Sequence, residues 1–369
     1  MTALPSAAYA VALASLPGIT PRRLRELVAE GPEHAWQLVS TGHIAVGLAT
    51  DKGEPARRAR WKGAARSIDV ERRWHEHVDA GLGVHVLGDT SFPAAFANDP
   101  ASPAAIFTRG SIAAIGHRRA AIVGTRRCTH VGREIAIQLG RELADERIAV
   151  VSGLALGIDG AAHRGVLATN GAPPIAVVGS GLDVVYPKRH AALWAEVAER
   201  GVVISEAPLG TPPEAWRFPA RNRLIAALSG AVVVVESHLS GGSLLTAQEA
   251  ERRGVTVLAV PGTIRNPAAS GCNALLADGG AILLRDVTDV LVALGLSSTK
   301  GQAALPLAEP DDREQATVRA AIPWVPPPTG DVIRRTGLPP STVATLLHRL
   351  HDSGWLAKGE GGFWEREAR

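Results

Sequence analysis

Cysteine is nearly absent: the only two, Cys128 and Cys272, stand far apart, and neither belongs to a CxxC pair. A disulfide framework and a cysteine-rich zinc site are therefore not expected, and a reducing cytoplasm fits. No apolar run reaches the ~18 residues that span a bilayer, so no membrane segment is expected. No basic residue precedes the short apolar stretch in MTALPSAAYAVALASLPG, so a secretory leader is not expected either. Neither sign of charge dominates. Lys+Arg number 39 and Asp+Glu 36, a net +3 over 369 residues, which does not by itself mark a nucleic-acid binder. Arginine greatly outnumbers lysine, but that imbalance reads as codon composition. Where the arginines stand has to carry any inference.

What is present is a folded chain, 46% apolar. Residues 1–79 read as a helical domain of helix–hairpin–helix shape. Within it, LASLPGITPRRLREL turns at Pro17-Gly18 and opens a second helix at Thr20-Pro21, a good N-cap followed by a good first helical residue. A plain helical turn explains this segment too, and a solvated face explains the basic stretch 57–73. Residues 82–116 begin with a strand, GLGVHVLGD, and continue as a Pro-rich connection. From 119 to about 296, Val/Ile-rich runs at 120–125, 148–153, 174–181, 201–207, 231–237, 256–262 and 281–286 alternate with helical patterns. Such nearly continuous apolar strands belong to parallel sheets covered on both faces. The expectation for 82–296 is an α/β domain with a Rossmann-like, doubly wound, mostly parallel sheet. Residues 297–312 read as a linker. Residues 313–369 read as three helices and two short strands around a Gly-rich turn, a winged helix.

In an open parallel sheet, ligands bind at the carboxyl ends of the strands. Here those ends collect almost all the polar, Gly-rich sequence of the domain. Gly124-Thr125-Arg126 follows the first parallel strand; the glycine permits a sharp turn, and an arginine there can fork onto a phosphate. Ser152 and Gly153 open SGLALGID, whose glycines suit an anion site near a helix start. Asp159 and His163 fall one helical turn apart, either as an acid–base pair or, the preferred reading, as helix cap and structural hydrogen bonder. Arg217, Phe218, Arg221, Asn222 and Arg223 stand in RFPARNR, read as a loop. Single-strand binders pair cations for the backbone with an aromatic face for a base. Phenylalanine is scarce here, at five residues, which singles out Phe218. Ser240, Gly241, Gly242 and Ser243 open a helix directly after a strand, in the form of a phosphate cradle. They lack the Gly-Lys-Ser/Thr of a P-loop, so nucleoside triphosphate hydrolysis is not supported.

These loops in this order resemble the DNA-processing protein A family (DprA, or Smf). The stretches that carry the resemblance are GTR (124–126), SGLALGIDGAAH (152–163), GSGLDVVYP (179–187), SE (205–206), FPARNR (218–223), SGGSLLT (240–246), PG (261–262) and GCN (271–273). The match covers about 82–295. Two positions depart from it: Thr125 stands for a usual serine, and Leu156 for a frequent arginine. The resemblance implies a mediator without enzymatic activity or cofactor. Such a protein binds single-stranded DNA, forms a homodimer, shields incoming strands and helps load RecA recombinase during natural transformation. It carries DNA contact onto Arg126, Phe218, Arg221 and Arg223, with Arg217 weaker. Arg221 could instead brace its segment through a carboxylate such as Glu206.

Three rival readings remain beside it. A nicotinamide-dependent oxidoreductase needs GxGxxG after the first strand, where this chain has GTRRCTHVG. A nucleotide-processing hydrolase of the lysine-decarboxylase-like kind carries PGGxGTxxE, where this chain has SGGSLLTAQEA. A duplex-DNA regulator would read DNA through the third helix of the winged unit, which offers His348, Arg349 and His351.

Overall fold

The computed structural model of the chain describes residues 4–43, 54–296, 313–322, 329–352, 356–358 and 364–366. The linker expected at 297–312 and the Gly-rich turn at 359–363 lie outside the described residues. The chain divides into two compact units, Met1–Ser297 and Ser298–Arg369.

The first unit opens with helices α1 (Ser6–Ala14), α2 (Pro21–Leu27), α3 (Pro32–Thr41), α4 (Glu54–Ala65) and α5 (Val70–Asp79). Thr20 caps α2 as expected, its side chain accepting from the Arg23 N–H. Then come β1 (Gly83–Val86), the one-turn α6 (Ala94–Ala97) and β2 (Ala105–Gly110). The alternating part runs β3 (Arg118–Val123), α7 (His130–Asp145), β4 (Ile148–Ser152), α8 (Ile158–Leu167), β5 (Ile175–Val178), α9 (Ala191–Arg200) and β6 (Val202–Ser205). It continues α10 (Arg217–Leu228), β7 (Ala231–Val234), α11 (Gly242–Glu251), β8 (Thr256–Ala259), α12 (Ser270–Ala277), β9 (Ile282–Leu283) and α13 (Val287–Ala293).

The nine strands form one sheet in the order β1-β2-β6-β5-β4-β3-β7-β8-β9. β3 to β9 pair in parallel. β2 runs antiparallel to β6, with Phe107 opposite Ser205, and β1 antiparallel to β2. β2 escaped the sequence reading because its apolar core is short and lies between the prolines at 100 and 103 and Gly110. The chain leaves β3 toward β4 on one side and later returns to place β7 on the other. The carboxyl ends of β3 and β7 therefore flank the topological switch point, where such sheets hold ligands.

Both faces are covered, which explains the unbroken apolar strands. One face packs Val123, Val151 and Val234 against Leu224 and Ile225 of α10, Ala247 of α11 and Cys272 of α12. The other packs Ile122, Val150 and Val233 against Leu139 and Leu143 of α7, Ile158 of α8 and Val290 of α13. Val11, Leu13, Trp36 and Trp61 of the N-terminal helices join Phe107, Val178, Val203 and Trp194 in a further cluster. The helical segment and the sheet thus share a core.

The second unit is a winged helix. It comprises α14 (Arg313–Ala320), α15 (Thr329–Thr336), α16 (Pro340–Asp352) and the antiparallel pair β10 (Leu356–Lys358) and β11 (Trp364–Arg366). Val318, Val332, Leu346, Leu350 and Trp364 form its own core. Among the described residues, no helix is long and apolar enough to cross a membrane.

Candidate nucleic-acid interface

A groove of about 680 Å³ lies over the switch point, lined by the end of β3, the segment that follows β7 and the starts of α8, α10 and α11. Its construction begins at Gly124. A Cβ there would lie 2.5 Å from Ile158 Cγ1 and 2.9 Å from the Glu236 carbonyl oxygen, so no side chain fits. The Thr125 N–H donates to the Glu236 carbonyl at 2.7 Å, and the Thr125 carbonyl accepts from the Ile158 N–H at 3.3 Å. Clamped on both sides, the turn sends Arg126 outward, where it is exposed. The Arg126 guanidinium carbon lies 5.0 Å from the centroid of the Phe218 ring. Tyr186, 41% exposed, lies against the same ring, centroids 5.5 Å apart and tilted by 45°. One cation and two aromatic faces thus meet at the groove's mouth.

RFPARNR is not a loop. Arg217 to Arg223 form the first two turns of α10. Proline is tolerated in a first helical turn because its missing N–H would have no partner there, and that is where Pro219 sits. The helical period separates residues that the motif lists side by side. Phe218, Arg221 and Asn222 line the groove. Arg221 forms its floor and is only 6% exposed. Its Nη1 donates to the Gly153 carbonyl at 2.9 Å and to the Val177 carbonyl. Burial pulls its pKa down to about 10, with the charge of Asp159 opposing. Burial likewise pushes the Asp159 carboxyl up, against the attraction of Arg221. Arg223 turns away from the groove. It donates to the Ala101 carbonyl at 2.8 Å and pairs with Glu206. Both partners of that pair are 14% exposed, and burial raises the Glu206 carboxyl. The expectation that Arg221 and Arg223 present guanidiniums to a ligand does not match this packing; both are spent on carbonyls and carboxylates. Arg217 is engaged as well, with Glu214 Oε2 at 2.9 Å and the Trp216 ring 4.4 Å away. The suspected Arg221–Glu206 brace is made by Arg223 instead.

The other expected residues are mostly scaffold. The Ser152 hydroxyl is fully buried and donates to the Ile122 carbonyl at 2.6 Å. The Gly153 N–H donates to Asp159 Oδ2 at 3.1 Å, and a Cβ on Gly153 would lie 2.4 Å from Arg221 Nη1. These two donors therefore point inward rather than at an anion. Asn222 Nδ2 donates to the Gly242 carbonyl at 3.1 Å, tying α10 to α11. The Ser243 hydroxyl bonds the Ser237 hydroxyl at 2.8 Å and is buried. Gly241 has no room for a side chain, since a Cβ would lie 2.3 Å from Ser237 Oγ. Ser240 and Gly242 are exposed beside the groove, at the start of α11.

Two features escaped the sequence reading. Tyr186 was visible only as part of a Tyr-Pro pair, with nothing to say which way its ring faces. Glu236, 7% exposed, ends the apolar strand AVVVVE. Its carboxylate accepts from the Thr129 N–H at 2.8 Å, the Thr129 hydroxyl at 2.6 Å and Asn266 Nδ2 at 3.4 Å. It thereby fixes the far end of the Arg126 turn. Beneath the floor, His163 is fully buried. Burial, with His190 adding to it, lowers its pKa to about 3. It is a neutral core residue, with the Ser152 backbone as its hydrogen-bonding neighbour. Among the described residues, no group of three or more His, Cys, Asp or Glu is placed to hold a metal ion.

Comparison with known proteins places this architecture. The family model for DNA recombination-mediator protein A matches residues 83–295, and that for the IclR helix-turn-helix domain matches residues 326–360. Protein Smf of Escherichia coli (strain K12) is 38% identical over 306 residues, 81% of this chain and 80% of that protein. The solved DNA processing protein A of Streptococcus pneumoniae superposes with a TM-score of 0.64 at 28% identity, covering 78% of this chain and 98% of that one. The solved DNA processing protein A of Helicobacter pylori, studied for its single-stranded DNA binding mode, gives a TM-score of 0.52 at 30% identity. That superposition covers 57% of this chain and 95% of that one. With a family model spanning more than half its length and a relative matched over four-fifths, the chain belongs to the DNA recombination-mediator protein A family.

Proposed function

We propose that this protein binds single-stranded DNA in the switch-point groove and acts on it as a recombination mediator, without chemistry on the strand. The observation that carries the reading is the cluster of Arg126, Phe218 and Tyr186 at the mouth of the groove. A guanidinium there neutralises a backbone phosphate, and the exposed Tyr186 ring with the half-buried Phe218 beside it accepts an unpaired base, worth roughly 1–3 kcal/mol per stacked base. In a duplex the bases are stacked on each other and offer no free face, so the geometry favours a single strand. The start of α11, with Gly242 and Ser240 exposed beside the groove, adds backbone donors of the kind that helix N-termini offer to phosphates. Arg221, Arg223, Asn222, Ser152, Gly153, Gly124, Gly241 and Ser243 shape this groove rather than touch the strand.

Family membership supports the further steps: a homodimer formed through the α/β unit, protection of incoming strands, and help in loading RecA during natural transformation, in the cytoplasm. The test is a pair of salt titrations of the full chain, one with single-stranded and one with duplex DNA of the same sequence. Tighter binding to the single strand is expected, with a log–log salt slope of about −0.7 per neutralised phosphate. Equal or tighter duplex binding would favour α16 of the winged unit as the reader. Release of base from nucleoside monophosphates would favour the hydrolase reading.

A further inference from the structure

Between Tyr186 and α9 the chain makes one short turn that is pinned at both ends. At one end the Tyr186 ring lines the groove and lies against Phe218. At the other, His190 is buried, and its Nδ1–H donates to the Leu154 carbonyl at 2.9 Å. A Cβ on Gly160 would lie 2.4 Å from His190 Cε1, so the ring is seated directly on the start of α8. The His190 N–H donates to the Pro187 carbonyl at 2.9 Å and closes a single 3-10 turn, Lys188–His190. With both ends held, Lys188 and Arg189 are left on the outside, and both are exposed. Among the described residues neither forms an ion pair or a side-chain hydrogen bond. The acid of the same segment, Asp183, is engaged elsewhere, its two oxygens accepting from the Gly210 N–H at 2.9 and 3.0 Å. These two cations therefore differ from Arg217, Arg221 and Arg223, whose donors the fold consumes.

A strand whose base rests against Phe218 and Tyr186 carries a phosphate on either side of that base. Arg126 stands at Phe218. At Tyr186 the neighbouring loop supplies no charge: its side chains are Leu154, Ala155 and Leu156, the first of them fully buried. That loop is nevertheless tied to the 186–190 turn through the Leu154 carbonyl. The turn brings Lys188 and Arg189 to the place where the loop has no cation, directly beyond a residue that lines the groove. A cation, two aromatic faces and two further cations then follow one another around the mouth. That combination of charges for the backbone and faces for the bases is what a single-strand track requires.

We infer that Lys188 and Arg189 form a second phosphate-binding station beside the aromatic pair, holding the backbone of the strand where it leaves Tyr186. This rests on the single-strand reading of the groove. Backbone contacts carry no sequence information, so the station strengthens binding to every sequence alike. Arg189 offers a fork of donors to a phosphate, and Lys188 a point charge.

Fluorescence anisotropy of the full chain with an oligothymidylate tests this. Lys188→Ala/Arg189→Ala should raise the Kd about tenfold at low salt and make the log–log salt slope shallower by about 1.4, for two phosphates at about 0.7 each. Lys188→Arg/Arg189→Lys keeps both charges and should bind as the parent does. Arg141→Ala removes an exposed charge near the end of α7, at the opposite edge of the sheet, and should leave affinity and slope unchanged. An oligothymidylate with uncharged methylphosphonate linkages should bind the parent and the alanine pair equally. If the alanine pair fails to fold, Arg189→Gln alone gives the same test, with a slope change of about 0.7. Parental affinity and slope in the alanine pair overturn the inference. So does a loss that Arg141→Ala reproduces, which reports net charge alone, or an equal loss on the uncharged strand, which reports a displaced Tyr186. Arg126→Ala, run in parallel, separates the two readings. If it weakens binding while the alanine pair does not, only the second station is refuted. If Arg126→Ala binds as the parent does, the groove reading fails, and the inference with it.

Discussion

Arg126 and Arg221 line the same groove and have opposite fates. Arg126 is exposed and lies against the Phe218 ring. Arg221 lies beneath, 6% exposed, bonded to the carbonyls of Gly153 and Val177 and facing Asp159. The rim and the floor are built from the same residue type at different depths. An arginine in a motif is therefore not by that fact a ligand contact. What decides is whether its donors are consumed by the fold. The floor holds the strand ends and α10 in register; the rim is free for the phosphate and base of the proposed strand.

The largest effect should come from breaking the floor. Arg221→Ala leaves Asp159 buried without its cation and two carbonyls without a donor, a change that costs about 3–5 kcal/mol. Urea denaturation should show that loss, whereas Arg126→Ala should move stability by no more than ~0.5 kcal/mol. Equal stabilities for the two variants would erase the distinction between rim and floor.

The floor should also be sensitive to acid through His163. The unfolded chain takes up the imidazole proton near 6.5, the folded chain only at about 3, because burial opposes the charge. Between those values the unfolded state binds more protons, so stability falls as pH falls, by up to about 1.4 kcal/mol per pH unit. Asp159, raised by its own burial, works in the other direction. Comparing the parent with His163→Leu isolates the histidine. From pH 6.5 to 5 the parent should lose about 1.6 kcal/mol more than the variant. Parallel pH profiles would mean that the ring finds solvent.

Glu236 joins the floor to the rim. Glu236→Ala removes the acceptor of the Thr129 N–H and hydroxyl, at a cost of about 1–3 kcal/mol. It should weaken DNA binding with the salt slope kept, because Arg126 stays but its turn loosens. A folded variant with parental affinity would show that the turn needs no such clasp. Phe218→Ala sharpens the rim itself. Single-strand affinity should fall by roughly 1–3 kcal/mol with little change in salt slope, since the substitution removes a stacking face and no charge. A slope change as large as that of an arginine variant would contradict stacking.

The α/β sheet was legible because both-face burial writes continuous Val/Ile runs, and the crowding of glycine and polar residues at one sheet edge pointed to the groove before any geometry. β2 was not legible, because an apolar run as short as Ala105–Phe107, between the prolines at 100 and 103 and Gly110, looks like a connection. The α10 boundary was missed for a similar reason: Pro219 punctuates like a loop, yet a first helical turn accepts it. Reading RFPARNR as a loop put all three arginines on one footing, whereas a helix sends them in three directions. Arg223 finds Glu206 through the fold, a contact 17 residues away in sequence. Glu236 carried one signal, a carboxylate closing an otherwise apolar strand, which marks a buried acid with a structural partner. The inward turn of Ser152 and Gly153 left no sequence trace, because Asp159 and Arg221 meet them only in the packed floor.

In the proposed function, Arg126 is a phosphate-binding side chain free of structural duty. The direct measurement is the log–log salt dependence of single-strand affinity for the parent and for Arg126→Ala, with circular dichroism confirming that both fold alike. The predicted result is weaker binding to every sequence and a slope shallower by about 0.7, as one fewer phosphate is neutralised. A folded Arg126→Ala with the parent's affinity and slope would contradict the assignment of the strand to this groove.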